Sequence, residues 1–352
     1  MKNRKYFGLL AILVLFLACN EEDENAPISV ALRDRGEQSL ADDSLIREYL
    51  QTHFYNYEDF ENPSADFDFR IVFDTIAGDN ANKQPIWDRS ELATVTYDRF
   101  GASNNLYVLT AREGVGEVST YADSTFVTYN GQNLYGGVFD NAENPLWFNL
   151  TATIDGFARG ISGSRGASGF TSNDDGTIDF TDDYGVGAIF IPSGLGYFAT
   201  PPNNNIGIYA SLVFEFEVYD RIVTDHDGDG IITIDEDINN NQFFFDDEDN
   251  TDGDAVNNFR DADDDNDGVM TRMEIVMTTE TIINNEGEEE EIQVFQSLLD
   301  TDGDGINDHL DEDDDGDGRP TIDEINVNFN TGVVTLPDTD GDGTPDYLDA
   351  DS

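Results

Sequence analysis

Acidic side chains recur through the last third of the chain at a spacing that suits a divalent cation. In residues 225–236, side-chain oxygens of Asp225, Asp227, Asp229 and Glu236 fall at positions 1, 3, 5 and 12. A glycine falls at position 6, where such a loop turns, and the side chains with one backbone carbonyl surround a hard cation. Oxygen-only ligands fit calcium better than zinc or copper. The segment therefore predicts a structural calcium site.

The same spacing recurs in six further segments, four with the glycine and two weaker ones with Gln242 or Ala255 in its place. A period of twelve or thirteen residues leaves no room for the flanking helices of an EF-hand. An acidic disordered tail is the alternative, but it would not keep five glycines in register. The predicted ligands are Asp237, Asn239, Asn241 and Glu248; Asn250, Asp252, Asp254 and Asp261; Asp263, Asp265, Asp267 and Glu274; Asp300, Asp302, Asp304 and Asp311; Asp313, Asp315, Asp317 and Glu324; and Asp338, Asp340, Asp342 and Asp349.

The repeats resemble thrombospondin type 3 repeats, in which the chain winds around a row of calcium ions with almost no hydrophobic core. The resemblance implies a calcium-organised irregular array over residues 225–352. His226 and His309 fall at positions that are not ligands, and we expect both to be exposed. Glu288 and the three glutamates after it lie between repeats and predict a solvated loop.

The charge of the chain restricts its partners. The formal net charge is −58, and residues 225–352 hold 42 acidic and 3 basic residues, a net of −39. Such a chain is repelled by nucleic acid and by anionic lipid surfaces. We therefore expect no nucleic-acid partner, and contact with a membrane only through an attached lipid.

A second kind of chemistry is suggested by residues 125–156, where aromatic side chains, turn glycines and one isolated carboxylate converge. Phe126 and Thr128 alternate as in a strand, and Gly131 precedes the first turn. Phe139 and Asp140 follow the next turn. These types predict an aromatic pocket with a single carboxylate, although aromatic residues alone would favour the core of a small half-barrel.

Six motifs in order resemble the FKBP-type peptidyl-prolyl cis-trans isomerases: YNG, GGVFDN, PLWFNL, IDGFARGI, IPSGLGYF and SLVFEFEV, between about residues 105 and 222. The resemblance implies an α+β domain over residues 104–222, with an antiparallel half-barrel sheet around a short helix. It also implies isomerisation of X-Pro bonds in exported polypeptides, with no cofactor. The pocket residues that it implies are Tyr129, Phe139, Asp140, Leu146, Thr153, Ile154, Phe157, Tyr197 and Phe214.

The resemblance also implies roles for these residues. Asp140 would be held by Tyr129 and face the imide, Tyr197 would bind a substrate carbonyl, and Thr153 would offer its backbone at the pocket edge. Phe157 stands where the family usually has tryptophan, and Leu146 stands where it tends to have an aromatic residue. Residues 162–188 form a longer connection than the family has. A non-catalytic module that binds peptide or glycan at the cell surface is the alternative function.

The N-terminus has the features of an exported lipoprotein. Lys2, Arg4 and Lys5 precede an apolar run too short to span a bilayer, which predicts a signal peptide over residues 1–18. Cys19 ends a sequence that resembles the bacterial lipoprotein cleavage box, which implies acylation there. Residues 19–41 predict an acidic tether. We therefore expect a lipid anchor in the outer membrane, at its periplasmic or cell-surface face.

Residues 42–103 should pack on the isomerase domain. The apolar pattern predicts a helix over residues 42–57, capped by Asp43 or Ser44. Alternation predicts a strand over residues 67–73, followed by strands over 92–97 and 106–110.

Overall fold

The computed structural model describes residues 32–173, 175–283, 288–328 and 333–352. The chain divides into two units, Met1–Arg33 and Asp34–Ser352, and every element below belongs to the second. The predicted signal peptide, the lipidation site Cys19 and much of the predicted tether lie outside the described residues. Among the described residues, no helix has the length and apolar character needed to cross a membrane.

The described part of the second unit contains few helices and many strands. The helices are α1 (Arg35–Thr52), α2 (Tyr57–Glu61) and α3 (Asp155–Ile161). The strands, in chain order, are β1 (His53–Tyr55), β2 (Phe73–Thr75), β3 (Leu92–Arg99), β4 (Ala102–Arg112), β5 (Ser124–Asn133), β6 (Val138–Asn149), β7 (Phe170–Ser172), β8 (Ile178–Phe180), β9 (Gly185–Ile191), β10 (Leu212–Ile222), β11 (Ile275–Ile283), β12 (Glu289–Leu298), β13 (Asn326–Asn328) and β14 (Val333–Thr335).

Six of the strands form one antiparallel sheet, in the order β3-β4-β9-β10-β5-β6. The other strands pair as hairpins or short two-stranded sheets: β1 with β2, β7 with β8, β11 with β12, and β13 with β14. This arrangement confirms the predicted α+β class, as a mixed structure with an antiparallel sheet.

The large sheet is covered on both faces, and the alternation of β10 shows why. Phe214, Phe216 and Val218 belong to one buried cluster, which includes residues of α3. Val213 belongs to a second cluster, which includes residues of α1. Because successive side chains of a strand point to opposite faces, one strand contributes to both cores. Glu215 lies on the α1 face, where Asn130 and Gln132 donate to its carboxylate at 3.3 and 3.0 Å.

The helix α1 begins at Arg35, earlier than the predicted start at residue 42. Asp34 is its N-cap and accepts the Glu37 N–H at 2.9 Å. The early turns contain buried polar residues, so the apolar pattern does not reveal them. Gln38 donates to Asp42 at 2.6 Å, and Asp42 also accepts the backbone N–H and the hydroxyl of Ser193. The predicted cap and the predicted tether over residues 35–41 were therefore wrong.

The predicted strand over residues 67–73 is also absent, because only Phe73 of that run belongs to a strand. Phe69 has a φ of +56°, which no extended strand allows. Phe67 and Phe69 instead pack on Phe60, with ring centroids 5.1 and 6.1 Å away. The alternation of the run reflects this aromatic cluster rather than a strand with a partner.

Residues 225–352 contain short 3-10 turns and two hairpins in the parts that the structure describes. Glu289 begins strand β12, so the predicted solvated loop is partly a hairpin with exposed side chains. His309 is buried rather than exposed, and burial lowers its pKa to about 4. Small apolar clusters, such as Val269 with Ile325 and Tyr347, add packing to the carboxylate loops.

Candidate functional site

An aromatic cavity of 660 Å³ lies between the sheet and the start of α3. This volume is in the range of about 300–1,000 Å³ that is typical of ligand sites. Eight of the nine pocket residues predicted from the sequence line it: Tyr129, Phe139, Asp140, Thr153, Ile154, Phe157, Tyr197 and Phe214. The structure thus brings together residues from β5, β6, α3, β10 and the segment after β9.

Four aromatic rings form the floor and wall of the cavity. Phe157 of α3 is 4% exposed, and its ring lies 5.1 Å from Phe214 and 5.8 Å from Phe148. Tyr129 packs edge-on against Phe148 at 5.3 Å. These edge-to-face contacts fix the rings against each other, so the cavity is a formed apolar surface.

The carboxylate at the cavity mouth is held as the resemblance implies. The Tyr129 hydroxyl donates to Asp140 Oδ2 at 2.8 Å. Burial, and then this hydrogen bond, raise the pKa of Tyr129, so the phenol remains a donor. Burial and the charge of Asp140 also raise the pKa of Tyr197. The Tyr197 hydroxyl has no hydrogen-bond partner among the described residues, so it can donate to a ligand.

A β-bulge in β6 and the glycine at position 131 allow Phe139 and Asp140, which are adjacent in the sequence, to face the same cavity. Asp140 pairs with Gly131, whereas Val138 pairs with Gln132, so Phe139 is an extra residue in the ladder. Such a bulge re-aims side chains that would otherwise alternate. A Cβ at Gly131 would lie 2.7 Å from the ring of Phe214 and 2.9 Å from that of Phe139. The glycine therefore permits the close approach of these two rings.

Leu146 is the predicted pocket residue that the structure places elsewhere. It pairs with Val127, is 36% exposed and does not line the cavity. A register shift between Val127 and Tyr129 inserts extra residues into β6 before Leu146, which separates it from the other pocket residues. Conversely, Phe148, which was not among the predicted pocket residues, does line the cavity.

The turn before α3 carries the cavity edge. The N–H and hydroxyl of Thr153 both donate to the Leu150 carbonyl, so Thr153 cannot offer its own N–H to a ligand without losing that bond. The N–H of Ile154, the N-cap of α3, has no partner among the described residues. At this edge the Ile154 N–H, unlike that of Thr153, is thus left without a hydrogen-bond acceptor among the described residues.

Five further residues that were not predicted line the cavity: Asn149 at the end of β6, Ala152 in the 3-10 turn that follows, and Pro202, Asn203 and Ile206 between β9 and β10. Asn149 connects the cavity to the acidic repeats. Its Oδ1 accepts the Thr151 N–H at 3.0 Å, which orients the amide. Its Nδ2 therefore donates to His226 Nε2 at 2.7 Å, and His226 Nδ1 donates to the Thr233 hydroxyl.

This geometry corrects the expectation that His226 is exposed. The imidazole is neutral in this arrangement, because Nε2 accepts while Nδ1 carries the proton. Burial and the nearby charge of Arg260 lower the pKa of His226, in agreement with a neutral ring.

The acidic repeats bring carboxylates into clusters, as the spacing predicts. One oxygen each from Asp225, Asp227 and Asp229 lies within 4.8 Å of the others. The same holds for Asp252 with Asp254 and Asp261, and for Asp300 with Asp302 and Asp304.

Two clusters contain a carboxylate that the spacing did not identify. Asp264 joins Asp229 and Glu236, and Asp314 joins Asp265, Asp267 and Glu274. Each added residue comes from position 2 of a later glycine-containing loop, which is why a pattern confined to one loop misses it. Acidic residues at that position were the available signal.

The second acidic loop has its last predicted ligand at the surface. Glu248 is exposed, whereas Asp246 accepts the side-chain amides of Asn239 and Asn241 at 3.2 and 2.6 Å. The buried Asp249 lies near the same loop and its carboxylate accepts the Ile238 N–H. The loop thus closes through amide contacts.

The buried carboxylates provide a test of whether a cation fits. Both carboxylate oxygens of Glu236, Glu274 and Asp314 are buried without a hydrogen-bond partner among the described residues. Burial and neighbouring carboxylates raise the pKa of Glu236 to about 10 and that of Glu274 to about 11. Buried carboxyl groups with unused lone pairs are either protonated or paired with a positive charge, and a bound cation would supply that charge. The donor set, with oxygens only, fits calcium.

The comparisons with known proteins place two different similarities on the chain. A family model described as BamM C-terminal matches residues 226–291. Among solved structures, a peptidyl-prolyl cis-trans isomerase from Pseudomonas syringae pv. tomato is 19% identical, with a TM-score of 0.29, over 38% of this chain and 83% of that chain. FkpA from Escherichia coli is 23% identical, with a TM-score of 0.28, over 38% of this chain and 53% of that one.

A third structure, with the three FKBP domains of wheat FKBP73, is 17% identical, with a TM-score of 0.27, over 33% of this chain and 46% of that one. The structural neighbours are thus FKBP-type isomerases, at low TM-score and partial coverage. No curated protein sequence matches the chain.

Proposed function

We propose that the protein is a peptidyl-prolyl cis-trans isomerase that assists the folding of exported polypeptides. The observation that supports this function is the convergence of eight predicted pocket residues on one cavity. The cavity combines an apolar aromatic floor, formed around Phe157, with the polar groups of Asp140 and Tyr197 at its mouth.

The reaction requires shape and desolvation rather than a nucleophile. Amide resonance gives the imide a rotation barrier of about 18–20 kcal/mol. An apolar cavity disfavours the planar, more polar imide relative to the twisted one, because it removes water from the carbonyl. A ten-thousandfold acceleration needs only about 5.5 kcal/mol of differential stabilisation.

Named side chains supply the orientation. The proline ring would lie against Phe157 and Phe214, while the Tyr197 hydroxyl and the Ile154 N–H donate to carbonyls of the bound chain. Asp140, fixed by Tyr129, places a negative charge beside the twisting imide. The carboxylate thereby favours the partial positive charge that develops on the carbonyl carbon as conjugation is lost.

A second candidate is a binding module without rapid turnover, for peptide or glycan. The position of Leu146 outside the cavity favours it, because one wall lacks the aromatic residue that the family tends to have. In this case the same cavity would hold a proline-containing segment without accelerating its isomerisation.

We also propose that calcium organises residues 225–352 and that the chain is anchored to the outer membrane by a lipid on Cys19. The buried, unpartnered oxygens of Glu236, Glu274 and Asp314 support the calcium sites. Calcium would supply the positive charge that lets these loops pack together. The lipid anchor is supported by the signal pattern of residues 1–18.

A proline-isomerisation assay separates the two candidates. The full chain, in calcium, is tested on the peptide Ala-Leu-Pro-Phe, with Asp140→Asn as the variant and Asp179→Asn, in the β7–β8 hairpin, as its control. An isomerase accelerates exchange, and Asp140→Asn lowers kcat/KM by about tenfold, equivalent to about 1.4 kcal/mol. Peptide binding without acceleration would establish the binding module instead, and no binding would exclude both.

A further inference from the structure

The first acidic loop is in direct contact with the wall of the aromatic cavity. His226 lies between Asp225 and Asp227, the first two acidic residues of that loop. Its Nε2 accepts the Asn149 amide at 2.7 Å, and its Nδ1 donates to Thr233 at 2.7 Å. Asn149 itself lines the cavity. The Asn149 side chain therefore lies between His226 of this loop and the cavity.

Asn149 also fixes the turn that carries the cavity edge. Its Oδ1 accepts the N–H and the hydroxyl of Thr151, at 3.0 and 2.9 Å. This caps the 3-10 turn Leu150–Ala152, which leads directly into Thr153 and Ile154. A shift of the Asn149 amide would therefore move the Ile154 N–H, which we assign as a donor to the substrate.

A second contact connects the repeats to the cavity floor. Phe243, from the second acidic loop, is 2% exposed and belongs to the same buried cluster as Phe157. Its ring centroid lies 3.8 Å from the guanidinium carbon of Arg159. Arg159 belongs to α3, the helix that also contains Phe157. Tyr121 donates to Asp237, at the start of that loop, at 2.7 Å.

From these contacts we propose that His226 is a positioning residue for the cavity, and that cation binding in the first loop and polypeptide binding in the cavity are thermodynamically coupled. The proposal deepens the proposed function and rests on it. Without a cation, Asp225, Asp227 and Asp229 repel one another. The loop then opens and His226 withdraws from Asn149. Coupling of this kind is reciprocal, because each ligand stabilises the arrangement that the other requires.

The first experiment needs no substrate. Amide hydrogen exchange of residues 150–157 is measured on the full chain with calcium and with chelator. Calcium should slow exchange there severalfold in the wild type. Asp227→Asn should remove this protection, whereas Asp302→Asn, the matched change at the third position of a later loop, should leave it. Equal exchange in both conditions, or equal loss in both variants, would overturn the proposal.

Two further variants separate positioning from general support of the fold. His226→Gln retains an acceptor for the Asn149 amide and should keep most of the calcium protection, whereas His226→Ala should lose it. If the two variants behave alike, His226 does not act through this hydrogen bond.

The second experiment measures the coupling. The calcium affinity of the full chain is titrated with and without saturating Ala-Leu-Pro-Phe peptide, and should rise about fivefold, the lower end of typical couplings. His226→Ala should abolish this rise. An unchanged affinity in the presence of bound peptide would contradict the coupling. If the peptide does not bind at all, the proposed function fails, while the exchange experiment still decides the positioning role.

Discussion

The ring centroid of Phe243 lies 3.8 Å from the guanidinium carbon of Arg159, which is 7% exposed. This pair joins the second acidic loop to α3. Within the described residues, α3 is the only α-helix that packs on the sheet face formed by Phe214, Phe216 and Val218. Asp155 contacts the Arg159 guanidinium at 3.4 Å, and Arg99 also contacts Asp155 at 3.0 Å. Because two arginines share one carboxylate, the aromatic ring is an important partner for the buried cation.

Replacing Phe243 with alanine should therefore lower the free energy of unfolding by about 3–5 kcal/mol, the usual cost of removing a buried ring. Chemical denaturation of the full chain in calcium measures the change. Phe245→Ala is the matched control, because Phe245 is 50% exposed, and its cost should stay below about 1 kcal/mol. Equal losses would show that Phe243 does not anchor the repeats to the sheet.

The cavity predicts losses of different size in kcat/KM for Phe139 and Leu146, which were both predicted as pocket residues. Phe139→Ala removes a ring that packs on Phe214 at 5.5 Å and should reduce kcat/KM by roughly tenfold to a hundredfold. Leu146→Ala should reduce it by less than about threefold, because Leu146 does not line the cavity. Isomerase kinetics on the full chain compare them. A larger loss with Leu146→Ala would contradict the cavity as the site of reaction.

Glu274 lies in a buried cluster with Asp265, Asp267 and Asp314, and replacing it should weaken calcium binding at that one site. Glu274→Gln removes one negative charge from a predicted ligand whose two carboxylate oxygens have no hydrogen-bond partner among the described residues. Calorimetry should show one site weakened by at least about tenfold. Glu280→Gln, in the exposed strand β11, is the control and should leave every site unchanged. If both variants titrate like the wild type, Glu274 is not a ligand.

Glu215 predicts a pH dependence that is independent of the acidic repeats. Burial raises its pKa to about 7, well above an ordinary glutamate. Between about pH 4.5 and 7 the folded state thus binds more protons at this site than the unfolded state, so stability falls as pH rises. Glu215→Gln should remove this part of the slope in calcium-saturated protein.

The measurement is the difference in unfolding free energy between wild type and Glu215→Gln at pH 5 and pH 7.5. Relative to that of the wild type, the unfolding free energy of Glu215→Gln should rise by roughly 2 kcal/mol from the lower to the higher pH, after allowance for solvent screening. A constant difference would mean that Glu215 is ionised in the folded protein at both pH values.

Much of the cavity could be predicted because its residues belong to motifs whose spacing is set by strands and one helix. Tyr129 on β5, Phe139 on β6 and Phe157 on α3 keep their relation wherever those elements form. Asn203 lies outside these motifs, and the contact of Asn149 with His226 could not be found in this way, because it joins residues that are distant in the sequence. Leu146 was misplaced because a register shift in β6 leaves no signal in residue type.

The acidic loops and helix α1 show the same limit for different reasons. Asp264 and Asp314 act on the cluster of a preceding loop, so a pattern that treats each loop separately omits them. The first turns of α1 bury Gln38 and Asp42 through hydrogen bonds to each other and to Ser193, and apolar periodicity cannot register buried polar pairs. Contacts between segments determine both features.

Because the large sheet is covered on both faces, the order of translation affects when the domain can fold and where the chain can be truncated. Helix α1 is translated before any strand of the sheet, whereas Phe243 is translated after the last one. A fragment that ends with β10 would leave Arg159 and Tyr97 facing water where Phe243 belongs. The domain built on the large sheet therefore completes its interior only when part of the acidic region has emerged, and the two regions mature as one body.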